Sequence, residues 1–351
     1  MGPTWTRSVL LSVMLLSMPG AVRADQLTVG GQSYAPVRVL QMREGFVTFR
    51  PLGGNDRTVW VGDIEFIAVD SVRQLADLNE AERYLADGDV ERALVRYGRA
   101  QRLAEGFWGD LVQVRLLRAY DRAGPADQAA LCFIKVMRGE FAGVSVAAGL
   151  FPRNLPVGKD ATGAKALEHL RSAGAGANES QRLLLELLRY QILRAGGDDK
   201  AAALAREVAE RRVPEPIRRA KVYEVQLTAV EQMLAGDFTP GQLAALDQVI
   251  ADCPEEVLPS ALLLKGETRL RRASTREELI RASWPFLRVA IHMPGDPRAA
   301  DGLYGAARVL ERMGRPRQAV QLLQECLAHP QVSATTRARA EADLVRLQAA
   351  P

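Results

Sequence analysis

One spacing constrains this chain more than any other. Gly88, Ala93, Tyr97 and Ala100 recur 36 residues later as Gly124, Ala129, Phe133 and Val136. The same offsets of five, four and three residues return in Gly314, Ala319, Leu323 and Cys326, closed by Pro330. Each set describes one helix that leaves through a left-handed glycine, then a second helix that packs closely through a small residue and a bulky one. A helix pair of this kind cannot bury its apolar face alone, so the recurrence demands stacked neighbours. Composition agrees. Hydrophobic residues make up 48% of the 351 and charged residues 25%, which excludes wholesale disorder, and 6% aromatic content favours helices over a large β-fold.

The run 81–94, with Gly88 at the turn and Ala93 opening the second helix, resembles the tetratricopeptide repeat (TPR), a helix-turn-helix unit of about 34 residues. The resemblance covers 73–143 and, most clearly, 298–333. It departs from the family at the usual tryptophan near the start of the first helix, where Asp77 and Gln113 stand. The fold it implies is mainly α: a right-handed α-solenoid of TPR-like helix pairs. The function it implies is a groove that holds a segment of a protein or peptide partner.

The segment before the last repeat is a stretched version. Ala282, Phe286 and Pro294 match the small, aromatic and terminating positions, and about four extra residues precede them. Between 179 and 252 the pattern is less regular. Asn178 with Gln181 forms a capping box, 183–193 is apolar nearly all round, and Gly196-Gly197 stops it. Helices at 201–210, 218–234 and 241–251 follow, as TPR-like or HEAT-like units; the residues leave both open.

Ahead of the helices, 27–29, 34–42, 46–52, 58–61 and 64–69 are short β-branched and aromatic runs separated by turn residues. Five such strands are expected to close into a small SH3-like or Sm-like barrel, which removes exposed edges. The module is small for an independent core, so it is expected to dock on the first repeat and cap its apolar end.

The N-terminus reads as an address. One positive charge (Arg7), an apolar core at 9–16, the breakers Pro19 and Gly20, and small residues before Asp25 describe a secretory signal peptide cut after Ala24. The core is about half the ~20 residues a membrane span needs, and no later segment is apolar for long enough. The expected location is the periplasm. Cleavage takes Arg7 and Arg23 away and lowers the net charge from +4 to +2. The balanced, interspersed charges argue against a nucleic-acid partner. Three cysteines cannot complete a disulfide framework, and their spacing fits no zinc motif; Cys132 and Cys326 lie on apolar helical faces, while Cys253 is the most accessible.

The domain order is thus 1–24 signal peptide, 25–70 β-module, 71–143 TPR-like repeats, 144–178 irregular break and hinge, and 179–351 helical repeats. Within the break, 142–163 is rich in glycine and proline and reads as a linker or as a lid across the groove, and 172–178 as a flexible joint. No chemistry emerges. Gly158-Lys159 lacks the first glycine and the Ser/Thr of a phosphate loop. The run 143–147 lacks the second glycine of a nucleophile elbow. His169, His292 and His329 have no partner ligand nearby, and Glu255-Glu256 and Glu277-Glu278 are adjacent pairs on solvated faces. No catalytic, cofactor or metal residues are expected, and oligomeric state and ligand-binding residues are left open. The expectation is a non-enzymatic interaction scaffold of the bacterial envelope. A self-assembling structural protein is the second reading and an enzyme with an unrecognised site the third.

Overall fold

The chain begins, in its described part, with a β meander. A computed structural model describes residues 25–139, 149–236 and 239–349; the signal segment 1–24 and the run 143–147 lie outside the described residues. Strands β1 (Asp25–Val29), β2 (Gln32–Arg43), β3 (Phe46–Pro51), β4 (Arg57–Trp60) and β5 (Ile64–Ala68) form one antiparallel sheet in the order β4-β3-β2-β1-β5. β2 is long enough to serve two partners. Its first half pairs with β1 and its second half with β3, from Val37↔Pro51 to Arg43↔Phe46. A single 3-10 turn, Val61–Asp63, separates β4 from β5. Leu27, Val47, Phe49 and Ile67 fill the module's core.

Two compact units divide the chain at Gly124 and Pro125. The first joins the meander to α1 (Ala76–Ala86), α2 (Val90–Leu103) and α3 (Phe107–Ala123). The division falls inside the second recurrence rather than at its end near 143, and the reason lies on α3. Arg115 reaches back from α3 to the carbonyls of Ile64 and Glu65 on β5, at 2.5 and 2.9 Å. It also forks onto Glu82 of α1, with both contacts at 2.7 Å. Glu82 accepts further hydrogen bonds from the Ile67 amide and the Tyr97 hydroxyl, and Asn79 of α1 accepts from the Val69 amide and donates to its carbonyl. Side chains of α1 and α3 therefore satisfy backbone groups along β5, as buried polar groups require. The module is docked on the first helices.

Among its described residues the second unit holds α4 (Ala126–Arg138), α5 (Ala161–Gly174), α6 (Glu179–Ala195), α7 (Lys200–Ala209), α8 (Ala220–Leu234), α9 (Leu243–Asp252), α10 (Leu258–Arg272), α11 (Arg276–His292), α12 (Ala299–Arg312), α13 (Pro316–Ala328) and α14 (Ala334–Ala349). From α6 onward each helix packs on the next, and alternate helices touch as well: α6 on α8, α8 on α10, α10 on α12, α12 on α14. That is the packing of stacked helical pairs. Among the described residues no helix is long and apolar enough to cross a membrane.

The recurrent positions do what their spacing implies, with one exception. Ala93, Tyr97, Ala100, Ala129, Phe133, Val136, Ala319, Leu323 and Cys326 are all buried. Gly88 and Gly314 are left-handed, with φ of 84° and 72°. Gly124 is not. Its φ is −90°, and it needs to be glycine because a Cβ there would lie 2.3 Å from the Tyr120 ring. In the stretched pair the extra residues add a turn to the start of α11, where Thr275 and Glu278 make a capping box. Phe286 of α11 is wedged between Gly266 of α10 and Gly305 of α12, where a Cβ would stand 2.7 and 2.4 Å from its ring.

Of the expected break at 144–178, the described part from 149 onward holds regular structure. Residues 161–174 form α5, capped by Asp160, which accepts from the Gly163 amide at 2.6 Å. Ala166, Leu170 and Ala173 recur along its buried face, and that periodicity outweighs the glycine-rich composition. The joint reduces to 175–177, since Asn178 and Gln181 close the capping box that begins α6. Before α5 the chain forms a strap pinned by Leu150, Phe151 and Pro156; the ring of Phe151 lies 4.9 Å from that of Phe133.

Candidate functional site: a groove between α5 and α6

The strap shapes one end of an open groove of about 550 Å³. Three glycines let backbone lie on backbone there: a Cβ at Gly163 would meet the Val157 carbonyl, and one at Gly196 would meet the Gly158 amide at 2.8 Å. Lys159 donates to the Gly197 carbonyl at 3.0 Å, at the C-terminal end of α6. The Gly158-Lys159 pair, which fails as a phosphate loop, is thus a clamp that fixes the groove's end.

Ala164, Leu167, Glu168 and Arg171 of α5 share one helical stripe. They face Arg182, Leu185, Glu186, Arg189 and Leu193 of α6, which recur at i, i+3, i+4, i+7 and i+11. The leucines make an aliphatic floor and the charged groups a rim, completed by Asp198 and Lys200. The charges do not cancel. Arg171 pairs with Glu168 and Arg211 with Glu186. No carboxylate lies within ion-pair distance of Arg182, Arg189 or Lys200 among the described residues. Burial pushes the Glu186 carboxyl above its ordinary range, although Arg211, and more weakly Arg182 and Arg189, pull it down.

Charged side chains are paired on several other surfaces. Along α10, α12 and α14, Arg308 pairs with Glu267 at 2.5 Å and the Tyr304 hydroxyl donates to Asp343 at 3.0 Å. Arg346 bridges Glu311 and Asp343. A smaller hollow of about 320 Å³ on α1 and α2 holds Arg92 and Arg96, paired with Asp89 and with Asp77 and Glu80. The α5–α6 groove is the larger of these two hollows and sets Arg182, Arg189 and Lys200, which have no ion pair among the described residues, beside its leucines.

The candidate residues of the sequence stay apart. His292 ends α11, His329 follows α13 with Nε2 3.2 Å from the Pro294 carbonyl, and His169 is exposed on α5. Cys132 and Cys326 are buried, and Cys253 is half-buried. Among the described residues no cluster of His, Cys, Asp and Glu could hold a metal ion. The groove residues went unnamed in the sequence, although the mixed Leu/Arg stripe of α6 is a visible signal.

Stacked helical pairs with left-handed turn glycines and a buried small–aromatic row define a TPR-like helical-repeat fold behind a five-stranded sheet. Solved structures of similar fold include a tetratricopeptide repeat protein from Parabacteroides merdae ATCC 43184, 10% identical, with 78% of this chain and 98% of that one covered at a TM-score of 0.34. The P58(IPK) TPR domain is 13% identical, with 79% of each chain covered at a TM-score of 0.27. Both similarities are distant, and the repeat assignment rests on the packing above. No family model and no curated protein matches the sequence.

Proposed function

We propose that this protein is a non-enzymatic interaction scaffold, exported to the bacterial envelope, that holds an acidic, aliphatic segment of a partner protein in the α5–α6 groove. One observation carries the reading: a leucine floor meets Arg182, Arg189 and Lys200, which have no ion pair among the described residues, in a single open groove. Apolar contacts would supply affinity there, and the cations orientation and choice of partner. The meander with a 3-10 turn between β4 and β5 supports an SH3-like reading of the N-terminal module, whose docked edge makes it a cap. Export rests on the sequence pattern of residues 1–24.

The test is a pull-down from an envelope fraction with residues 25–351 as bait, beside the Arg182→Glu/Arg189→Glu double variant. A protein held by the first bait and lost from the second supports the groove. Equal capture by both removes the groove from the proposal. A defined ring or fibre in light scattering of the bait alone would replace the scaffold with self-assembly.

A further inference from the structure

α11 is apolar on two sides. Its inward face packs Leu279, Ala282, Phe286 and Val289 into the core. Its outward face exposes Ile280, Trp284 and Ile291, by 38, 62 and 65%. A helix that is apolar all round is normally covered. The second helices of the neighbouring pairs differ: α9 presents Asp247, and α13 presents Gln318, Gln321 and Glu325. The apolar face is thus a property of α11 and not of its layer.

Spacing and charge say what covers it. Ile280, Trp284, Leu287 and Ile291 stand four, three and four residues apart, the seam that one helix offers another. Leu287 is half-buried and forms the seam's base. Arginines flank it: Arg276 on one side, Arg281 and Arg288 on the other. Arg281 is paired with Glu277, while Arg276 and Arg288 have no carboxylate within ion-pair distance among the described residues. A second copy of α11 would set arginines against arginines. Its three exposed side chains also offer a few hundred Å², short of the ~800 Å² per partner of a stable dimer, and of the size of a weak, transient contact. A bilayer would have to meet the polar faces of α9 and α13 as well.

We propose that the outward face of α11 docks an acidic amphipathic helix of a partner protein, with apolar residues at the matching spacing and carboxylates on its flanks. Trp284 is the anchor, and Arg276 and Arg288 set the register. The surface is separate from the α5–α6 groove.

The experiment titrates residues 25–351 against a labelled synthetic helix with leucines at 4-3-4 spacing and glutamates on the flanks, followed by fluorescence anisotropy. A twin peptide with lysines for the glutamates is the control. The acidic helix is expected to bind, more weakly at high salt, and the lysine twin not to bind. Trp284→Ser and Arg288→Glu should each weaken binding roughly tenfold or more while leaving the melting curve unchanged, since both side chains are exposed. Arg189→Glu, in the groove, should leave it unchanged. Should Trp284→Ser fail to fold, Arg288→Glu decides the matter alone. Equal binding by the two peptides, or by the wild type and both α11 variants, overturns the proposal. So does Trp284-dependent binding to phosphatidylglycerol vesicles without peptide binding, which would make the face a lipid contact. A dimer abolished by Trp284→Ser would assign it to a second copy.

Discussion

Arg115 and Glu82 meet as a two-point fork, at 2.7 Å on each prong, with side chains only 4 and 1% exposed. The pair joins four elements, α1, α2, α3 and β5, because the same guanidinium donates to β5 and the same carboxylate accepts from β5 and α2. Burial, followed by the Glu82 charge, raises the Tyr97 hydroxyl far above the ordinary tyrosine range, so it stays a donor. For Arg115 burial alone would lower the pKa, but Glu82 and Tyr97 outweigh it and the guanidinium is held charged.

Removing one partner strands the other. Arg115→Met is expected to cost about 3–5 kcal/mol, the usual penalty for an uncompensated buried charge. Replacing both partners of a buried pair by apolar residues is often neutral. Here it should not be, because Glu82→Leu/Arg115→Met also orphans the Ile64 and Glu65 carbonyls and the Ile67 amide, at about 1–3 kcal/mol per buried group. Denaturant unfolding together with hydrogen exchange at Ile67 measures this. A double variant as stable as the wild type would mean that the pair does not hold the sheet to the helices.

The Phe286 wedge makes a second comparison. Gly305→Ala places a methyl group 2.4 Å from the ring, which forces the α11–α12 contact apart and should cost about 1–3 kcal/mol through overpacking. Gly295→Ala meets open space at an ordinary φ and should be neutral, or stabilising by up to about 1 kcal/mol. Melting curves of the two variants settle the order. Equal, small shifts would mean that the Phe286 ring is not wedged against Gly305.

These contacts show which parts of the fold the sequence could reveal. The repeat was legible because Ala93, Tyr97 and their counterparts are local to one helix pair, and the five strands because β-branched and aromatic runs between turn residues are local too. Gly124 was misread: a glycine required by the Tyr120 ring carries the same letter as one required by a left-handed turn. α5 was hidden by the glycines and prolines around it, although Ala166, Leu170 and Ala173 kept helical spacing. The groove was out of reach for a different reason. That α5 faces α6 depends on Leu150 and Phe151 pinning the strap, and on Gly163 and Gly196 admitting it, none of which is a local pattern.

Export is open to a direct test. The apolar core of residues 9–16 is what would partition into the translocation machinery. Leu15→Arg/Leu16→Arg is expected to leave an uncleaved precursor in the cytoplasm, read by cell fractionation and N-terminal sequencing. Normal processing after Ala24 in that variant would show that residues 1–24 are not a signal.

The start of α11 provides the pH prediction. Glu278 accepts from the backbone amides of Ser274 and Thr275 at 2.8 and 3.0 Å and from the Ser274 hydroxyl at 2.9 Å, while Thr275 accepts from the Glu278 amide. These bonds, the two backbone amides first, lower its pKa from the ordinary 4.5 to about 2. A carboxyl depressed on folding stabilises the folded state fully above its unfolded value, and that stabilisation is lost as the pH falls through the folded one. Glu278→Gln keeps a side chain able to close the capping box but removes the charge. Amides in the first turns of α11 should therefore exchange faster in Glu278→Gln than in the wild type at neutral pH. The difference should shrink below about pH 4.5 and close near pH 2. A difference that persists unchanged across that window would assign the effect to side-chain shape instead of charge.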